Sequence, residues 1–131
     1  FKTDISEDIP GLSFVTKLRP VTYHWVLNSL NSHINGNKPI PDWEGKYDIE
    51  QIKFSGFIAQ EVQATANAVG YNFSGVDTSG KVMGLRYTEF IPSIVKSIQE
   101  QQTMIESQRQ EIQELRNLVL QLQEKINVGV K

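Results

Sequence analysis

Apolar residues recur at alternating spacings of three and four from Phe90 to about Val128, and this pattern organises the last third of the chain. With the heptad started at Ile91, the a positions are Ile91, Ile98, Ile105, Ile112, Val119 and Ile126, and all are β-branched. The d positions are Ile94, Gln101, Gln108, Leu115, Leu122 and Gly129. A seven-residue period kept over this length stays on one face only if the helix supercoils around a partner. The pattern predicts a coiled-coil stalk, roughly 60 Å long at about 1.5 Å per residue. The alternative is an amphipathic helix packed on its own domain, which is uncommon for helices beyond about 25 residues.

The number of strands in the coil stays open from the heptads. Ile at both a and d, as in the first turns, favours three or four strands, whereas β-branched a with Leu at d, as in the lower half, favours two. Gln101 and Gln108 place two amide layers in the middle of the predicted core. A buried amide that faces an aliphatic layer lacks partners, so these layers disfavour slipped registers. Dimer and trimer both fit the residues.

The first half of the remaining chain predicts short elements of both types. We expect a strand over residues 2–5, a two-turn helix that starts near Ser6 and ends at Pro20, and a half-buried strand over 21–25. Residues 28–51 contain Asn-Gly at 35–36, two prolines and many polar residues. This composition indicates a long surface loop or hairpin.

The second half predicts a strand over 52–57, a helix over Ala59–Ala68 closed by Gly70, and a hairpin of strands 71–76 and 81–87. Thr88 is the expected N-cap of the long helix, with Pro92 in its first turn. The predicted fold class is α+β. It comprises a small mixed head with short strands and helices over residues 1–88, and a stalk over 89–131 that consists of one long C-terminal helix.

Composition narrows the function classes. The net charge is −2 and the sequence contains no basic run, which argues against nucleic acid as a partner. The absence of cysteine excludes thiolate metal sites, and the apolar runs are too short to span a membrane. We expect no metal and no other cofactor. A head of about 90 residues supports only a small core, so it would gain stability from oligomerisation.

Two groups of side chains are candidates for a functional site. His24 and His33 are the only histidines, with Asp42 nearby in sequence, and their spacing supplies no converging partners for a metal site or a Ser/His/Asp triad. We therefore expect structural histidines. The aromatic residues could line a groove but are more simply the core of the head: Trp25, Trp43, Phe54 and Phe57.

Three sequence blocks together resemble a known family. They are Leu18–Trp25 (LRPVTYHW), Ser55–Val62 (SGFIAQEV) and Leu85–Pro92 (LRYTEFIP). Their order, and the coiled coil that follows, are similar to the peptidase S74 family, the C-terminal intramolecular chaperone of phage tail spikes, endosialidases and related bacterial fibre or surface proteins. The central motif of the resemblance comprises Gly56, Phe57, Ile58, Ala59, Gln60, Glu61 and Val62.

The resemblance implies a homotrimer that registers an upstream fibre or spike of its own precursor and is then released by self-cleavage. In the family a Ser/Lys dyad in an S-x-x-x-x-K motif makes the cut, just before the serine. Lys2 matches the motif lysine, as general base, and the matching serine would lie five residues earlier, ahead of Phe1. The chain as given is therefore expected to be inactive. The precursor would belong to a virion tail or a bacterial cell surface.

Two other functions stay open from the sequence. One is a trimerisation or adhesin-foot module that never cleaves, which differs from the first interpretation in lacking the upstream serine. The other is a ligand-binding head that uses the 28–51 loop and Trp43. A lysine acts as a base only when its amine is neutral, and removal from water favours the neutral form. Assembly could supply that desolvation and so couple cleavage to correct folding.

Overall fold

The computed structural model describes residues 1–130. Its short elements form a mixed α+β head, and one helix forms the C-terminal third. The helices are α1 (Leu12–Val15), α2 (Leu27–Asn35), α3 (Ala59–Ala68) and α4 (Ile91–Gly129). The strands are β1 (Val21–Tyr23), β2 (Phe54–Gly56), β3 (Val76–Asp77) and β4 (Gly84–Leu85). Single 3-10 turns cover Asp48–Gln51 and Tyr87–Phe90.

Two strand pairs give the head its sheets. β1 pairs antiparallel with β2, with Val21 opposite Gly56 and Tyr23 opposite Phe54. β3 and β4 form the predicted hairpin, with Val76 opposite Leu85, although each strand has only two residues. Hairpins this short are marginal alone, so their position depends on packing against the helices.

Helix α3 has the predicted boundaries. Val62 and Ala66 point into the core, as expected from their spacing of four residues. Gly70 adopts φ = 69°, a left-handed conformation that favours glycine and ends the helix. The backbone N–H of Tyr71 then donates to the carbonyl of Ala66 at 2.8 Å, which turns the chain towards the hairpin.

The N-terminal segment differs from its prediction. Within the described range 1–10 there is neither the strand over 2–5 nor the helix start near Ser6, and α1 spans only Leu12–Val15. Asp4 has φ = 52°, which interrupts an extended run. Both sheets in the described range have only two strands, and the segment joins neither of them.

Residues 28–51 also differ, because the predicted loop begins with a nine-residue helix, α2. Leu27, Leu30 and Ile34 recur on one face and are half-buried. The carboxylate of Glu50 accepts the N–H of Leu27 at 2.7 Å, so a distant side chain satisfies the helix start. Gly36, with φ = 64°, ends the helix. The many asparagines between these apolar residues are the reason that the sequence predicted a loop here and not a helix.

The core lies between α1, α3 and the start of α4. Its buried members are Phe14, Val62, Ala66, Phe73 and Phe90. The rings of Phe73 and Phe90 are 4.7 Å apart between centroids, and those of Phe14 and Phe73 are 5.2 Å apart. The predicted aromatic core is wrong for Trp43, which is 59% exposed. Trp25, Phe54 and Phe57 are half-buried; Phe57 packs against the core, whereas Trp25 and Phe54 pack on the ring of Tyr23.

Helix α4 meets the head through small residues. Ser93 and Ser97 are buried, and a side-chain carbon on Gly11 would lie 3.0 Å from the backbone of Lys96, so α1 and α4 approach closely. Pro92 lies in the first turn, as predicted. Thr88 is not the N-cap, because the 3-10 turn over Tyr87–Phe90 runs directly into α4.

Ser93→Ala is expected to stabilise the chain by about 1 kcal/mol, because the buried Ser93 hydroxyl has no hydrogen-bond partner within residues 1–130. Thermal unfolding would show a higher Tm. Ser97→Ala is the matched control, since the Ser97 hydroxyl donates to the carbonyl of Ser93 at 2.8 Å and should give no such gain. A lower Tm for Ser93→Ala would contradict the inference.

Candidate functional site

The first two sequence blocks are joined by an ion pair. Arg19, before β1, donates from Nε to Oε2 of Glu61 at 3.0 Å, and its Nη2 donates to Oε1 of the same carboxylate. The hydrogen bonds from Arg19 lower the pKa of Glu61 below its usual value. The side chains are 61% and 43% exposed, so the pair orients α3 against β1 more than it adds stability.

The second and third blocks meet at Gly56. The phenol oxygen of Tyr87 accepts the N–H of Phe57 at 3.1 Å. A side chain at residue 56 would collide with that oxygen and would lie 3.4 Å from the ring of Tyr23, so only glycine fits. The Phe57 ring stacks on Phe90, with centroids 5.2 Å apart, immediately before α4 begins. The three blocks therefore form one junction that fixes the start of α4 relative to β1, β2 and α3.

The other residues of the central motif divide between core and surface. Ala59 and Val62 are buried, Glu61 pairs with Arg19, and Gln60 is exposed. Ile58 is 40% exposed, which is high for an isoleucine inside a motif. Ala59 and Val62 thus serve the packing of the head, and Glu61 serves its pairing with Arg19.

Helix α4 has two different faces. The face against the head contains four buried or half-buried residues, Ser93, Lys96, Ser97 and Glu100. At about 100° per residue, this face lies roughly 140° around the helix from Ile91, Ile94 and Ile98. The head therefore contacts the side of α4 opposite to its a and d positions.

The a and d residues form an exposed apolar stripe. Its aliphatic members are between 42% and 64% exposed: Ile91, Ile94, Ile98, Ile105, Ile112, Leu115, Val119, Leu122 and Ile126. Gln101 and Gln108 lie in the same line, and every residue from 101 to 130 is exposed. The alternative of a helix packed on its own domain is wrong for this stripe. An apolar surface of this length marks an interaction site.

Lys2, the predicted base, lies in the exposed segment that precedes α1. The same segment turns at Asp4 and then runs beside the first turns of α4, where Ser6, Glu7 and Ile9 line a shallow groove with Val95. Within residues 1–130 the ammonium of Lys2 takes part in no ion pair.

Each histidine contacts a backbone carbonyl through its ring, as expected of histidines that stabilise the fold. A ring nitrogen of His24 lies 2.9 Å from the carbonyl of Glu50, and one of His33 lies 2.9 Å from the carbonyl of Lys81. Within residues 1–130 there is no cluster of three His, Asp or Glu side chains that could hold a metal. No helix in the same range is both long and apolar enough to cross a bilayer.

Sequence reasoning missed two pairings. The Arg19–Glu61 ion pair lies inside blocks that the sequence had singled out, and their opposite charges were its only signal. The second lies in the expected turn of the β3–β4 hairpin, where the carboxylate of Asp77 accepts hydrogen bonds from the hydroxyl and N–H of Ser79 and from Arg86. The Ser79 bonds, followed by the bond from Arg86, lower the pKa of Asp77 to about 2.

Asp77 is expected to contribute acid sensitivity to the fold. Because its pKa is lower in the folded chain, its stabilising effect is complete above the unfolded value near 4 and is lost as the pH falls to about 2. Asp77→Asn should therefore be less stable than the original chain at pH 6, and this difference should shrink towards pH 2. Denaturant unfolding at both pH values measures it, with Asp8→Asn as the exposed control. A difference that does not change with pH would contradict the assignment.

A small α+β head therefore precedes a long helix whose heptad stripe is exposed. A family model described as chaperone of endosialidase matches residues 1–71, and the chain belongs to this family, peptidase S74. The matched range includes residues 28–51 and stops before the third block. Comparison with curated proteins gives no match, and comparison with solved structures gives none either.

Proposed function

We propose that this chain is a C-terminal intramolecular chaperone that trimerises, registers an upstream fibre or spike segment of its own precursor, and is released by Ser/Lys self-cleavage. The family supports the chaperone role. The observation that carries the assembly step is the exposed apolar stripe of α4, which faces away from the head.

The stripe is proposed to form the core of a parallel three-stranded coiled coil. An isolated helix gains little stability from propensity alone, whereas burial of each large aliphatic side chain contributes about 1.5–3 kcal/mol. Ile at both a and d in the first turns favours three strands over two, in agreement with the family. The heads would then surround the top of the coil, each attached through the opposite face of its helix.

Light scattering after gel filtration tests this assembly. The expected mass is three times 14.9 kDa, because the stripe is long and all its aliphatic residues are exposed in the single chain. On dilution, the trimer should persist until nanomolar concentrations, and monomer should appear only there. A clean dimer at moderate concentration would overturn the trimeric chaperone.

The chaperone step would act by holding three chain ends together. β-rich fibres form through contacts between distant residues, and such folding is slow and exposed to aggregation. A preformed trimer at the C-terminus raises the local concentration of the three upstream chains and fixes their register. The precursor is proposed to be a tail spike, a tail fibre or a bacterial surface protein.

Release is proposed to depend on Lys2. A serine five residues earlier would attack the carbonyl carbon of the residue before it, while the neutral amine of Lys2 takes the serine proton. The C–N bond to the serine would break as Lys2 returns that proton to the serine nitrogen. Water would then hydrolyse the resulting ester and separate the two parts of the chain. In this structure Lys2 is exposed. Its neutral form would be favoured only when neighbouring chains exclude water from it. Cleavage would then follow assembly, and the released fibre would be trapped kinetically in its folded form.

A further inference from the structure

A polar pocket lies between α2 and the chain that follows it. Its lining residues are Asn28, Asn31, Ser32, Gly36, Asn37, Lys38, Ile40, Lys46 and Tyr47. Three asparagines, one serine and two lysines supply hydrogen-bond donors, and none of the lining residues is a carboxylate. The pocket therefore suits a ligand that carries negative charge and several hydrogen-bonding oxygens.

Lys46 is the unusual member of this polar pocket because it is only 8% exposed. Its ammonium donates to the carbonyl of Pro41 at 3.1 Å and lies over the rings of Trp43 and Tyr47, 5.2 and 5.3 Å from their centroids. Both ion pairs of the described chain involve other residues. A buried ammonium without a carboxylate is costly, and an anion bound in the pocket would offset that cost.

Two nearby acidic side chains have other roles. Asp42 accepts the N–H of Trp43 at 3.0 Å, and Glu50 accepts the N–H that starts α2. Neither lines the polar pocket. At the pocket wall, the hydroxyl of Tyr47 donates to Oδ1 of Asn28 at 3.1 Å, which leaves the amide nitrogen of Asn28 as a donor for a ligand.

Two aromatic side chains stand beside this donor set. Trp43 is 59% exposed and Tyr47 is 40% exposed, and the ammonium of Lys46 lies over both rings. A ring that is held in place and open to solvent gives a flat apolar platform at low entropic cost. Amide donors, a cation and an aromatic platform together match a sugar ring that bears an acidic group.

We propose that the polar pocket binds an acidic saccharide. The carboxylate of the sugar contacts the ammonium groups of Lys38 and Lys46, its hydroxyls bond to the asparagine amides, and its apolar face packs on Trp43 or Tyr47. This site is formed within one chain and does not require the trimer or self-cleavage. It gives the 28–51 segment a role separate from assembly.

The test is titration of the full chain with oligogalacturonate, followed by calorimetry and tryptophan fluorescence. Neutral maltotriose and sodium sulfate are the matched ligands. We expect saturable binding of oligogalacturonate and at least about tenfold weaker binding of maltotriose. Trp43→Ala and Lys38→Gln should each weaken binding by about fivefold or more, while Lys53→Gln, an exposed lysine outside the pocket, should not.

Circular dichroism shows whether each variant is folded. Lys38 and Trp43 are exposed, so replacing them should leave the fold intact and test binding alone. Absence of saturable oligogalacturonate binding would overturn the proposal. Equal binding of maltotriose would show that the lysines do not select charge, and would also overturn it. Full competition by sulfate together with no effect of Trp43→Ala would reduce the pocket to a simple anion site and refute saccharide binding.

Discussion

Replacement of both Ile98 and Ile105 by aspartate is expected to convert the proposed trimer into a 14.9 kDa monomer. These residues are 59% and 42% exposed in the single chain, and in the proposed coil they would form two adjacent core layers. Aspartate would place six carboxylates near one axis. A charge removed from water without a partner costs several kcal/mol, while the apolar burial of six isoleucines is lost. The combined effect should raise the dissociation constant by many orders of magnitude.

The heads of this variant should remain folded, because α4 meets its head through Ser93 and Ser97 on the other side. The near-ultraviolet circular dichroism of the head aromatics should therefore be retained. Thr103→Asp with Gln110→Asp is the matched control, since both are exposed f positions outside the stripe and should leave the trimer intact. If the Ile98/Ile105 variant still has the mass of a trimer, the stripe is not the assembly surface.

Lys2→Ala is expected to abolish self-cleavage completely. The experiment needs the chain extended by its natural upstream sequence, with a serine five residues before Lys2 and part of the fibre attached. The serine then loses the base that takes its proton, so a denaturing gel should show only the uncut precursor. Lys2→Arg should fail as well, because a guanidinium stays protonated in any plausible site. The trimer mass should be unchanged in both variants.

Lys17→Ala provides the control for Lys2, since Lys17 is another exposed lysine of the head. This variant should be cut normally. Charges at Ile98 and Ile105 should also block the cut, by preventing the assembly that excludes water from Lys2. A Lys2→Ala precursor that is still cut at the same bond would show that the dyad assignment is wrong. The non-cleaving trimerisation module would then be the better function.

The sequence was sufficient where the apolar period was long or a glycine marked an end. Helix α3 matches its prediction because Val62 and Ala66 share a face and Gly70 stops the helix. Helix α4 was predicted to within two residues at each end, since its heptads continue without a break. For both helices, residues close together in the sequence are enough to predict the element.

Prediction failed where distant residues decide local structure. Helix α2 starts with help from the carboxylate of Glu50, and no local pattern reveals such a cap. The N-terminal segment has strand-like residues but joins neither two-stranded sheet of the described range. The core contains Phe14 and Phe73, which fell outside the recognised blocks. For the candidate site, the blocks were recognisable, but the meeting of Tyr87 with Gly56 requires the folded chain.

The head and the a and d positions lie on different sides of α4. The residues that hold the head are therefore not those that would set the number of chains in the proposed assembly. Contact with the head ends at Glu100, so the remaining turns of α4 are left to the proposed association. A coil of another strand number, fused in the same heptad phase, would present two or four heads without altering how any head folds. In the proposed assembly the symmetry of the guided fibre is set by the a and d positions of α4, including Ile91, Ile94 and Ile98, and a change of fibre symmetry would require no change in the motif junction.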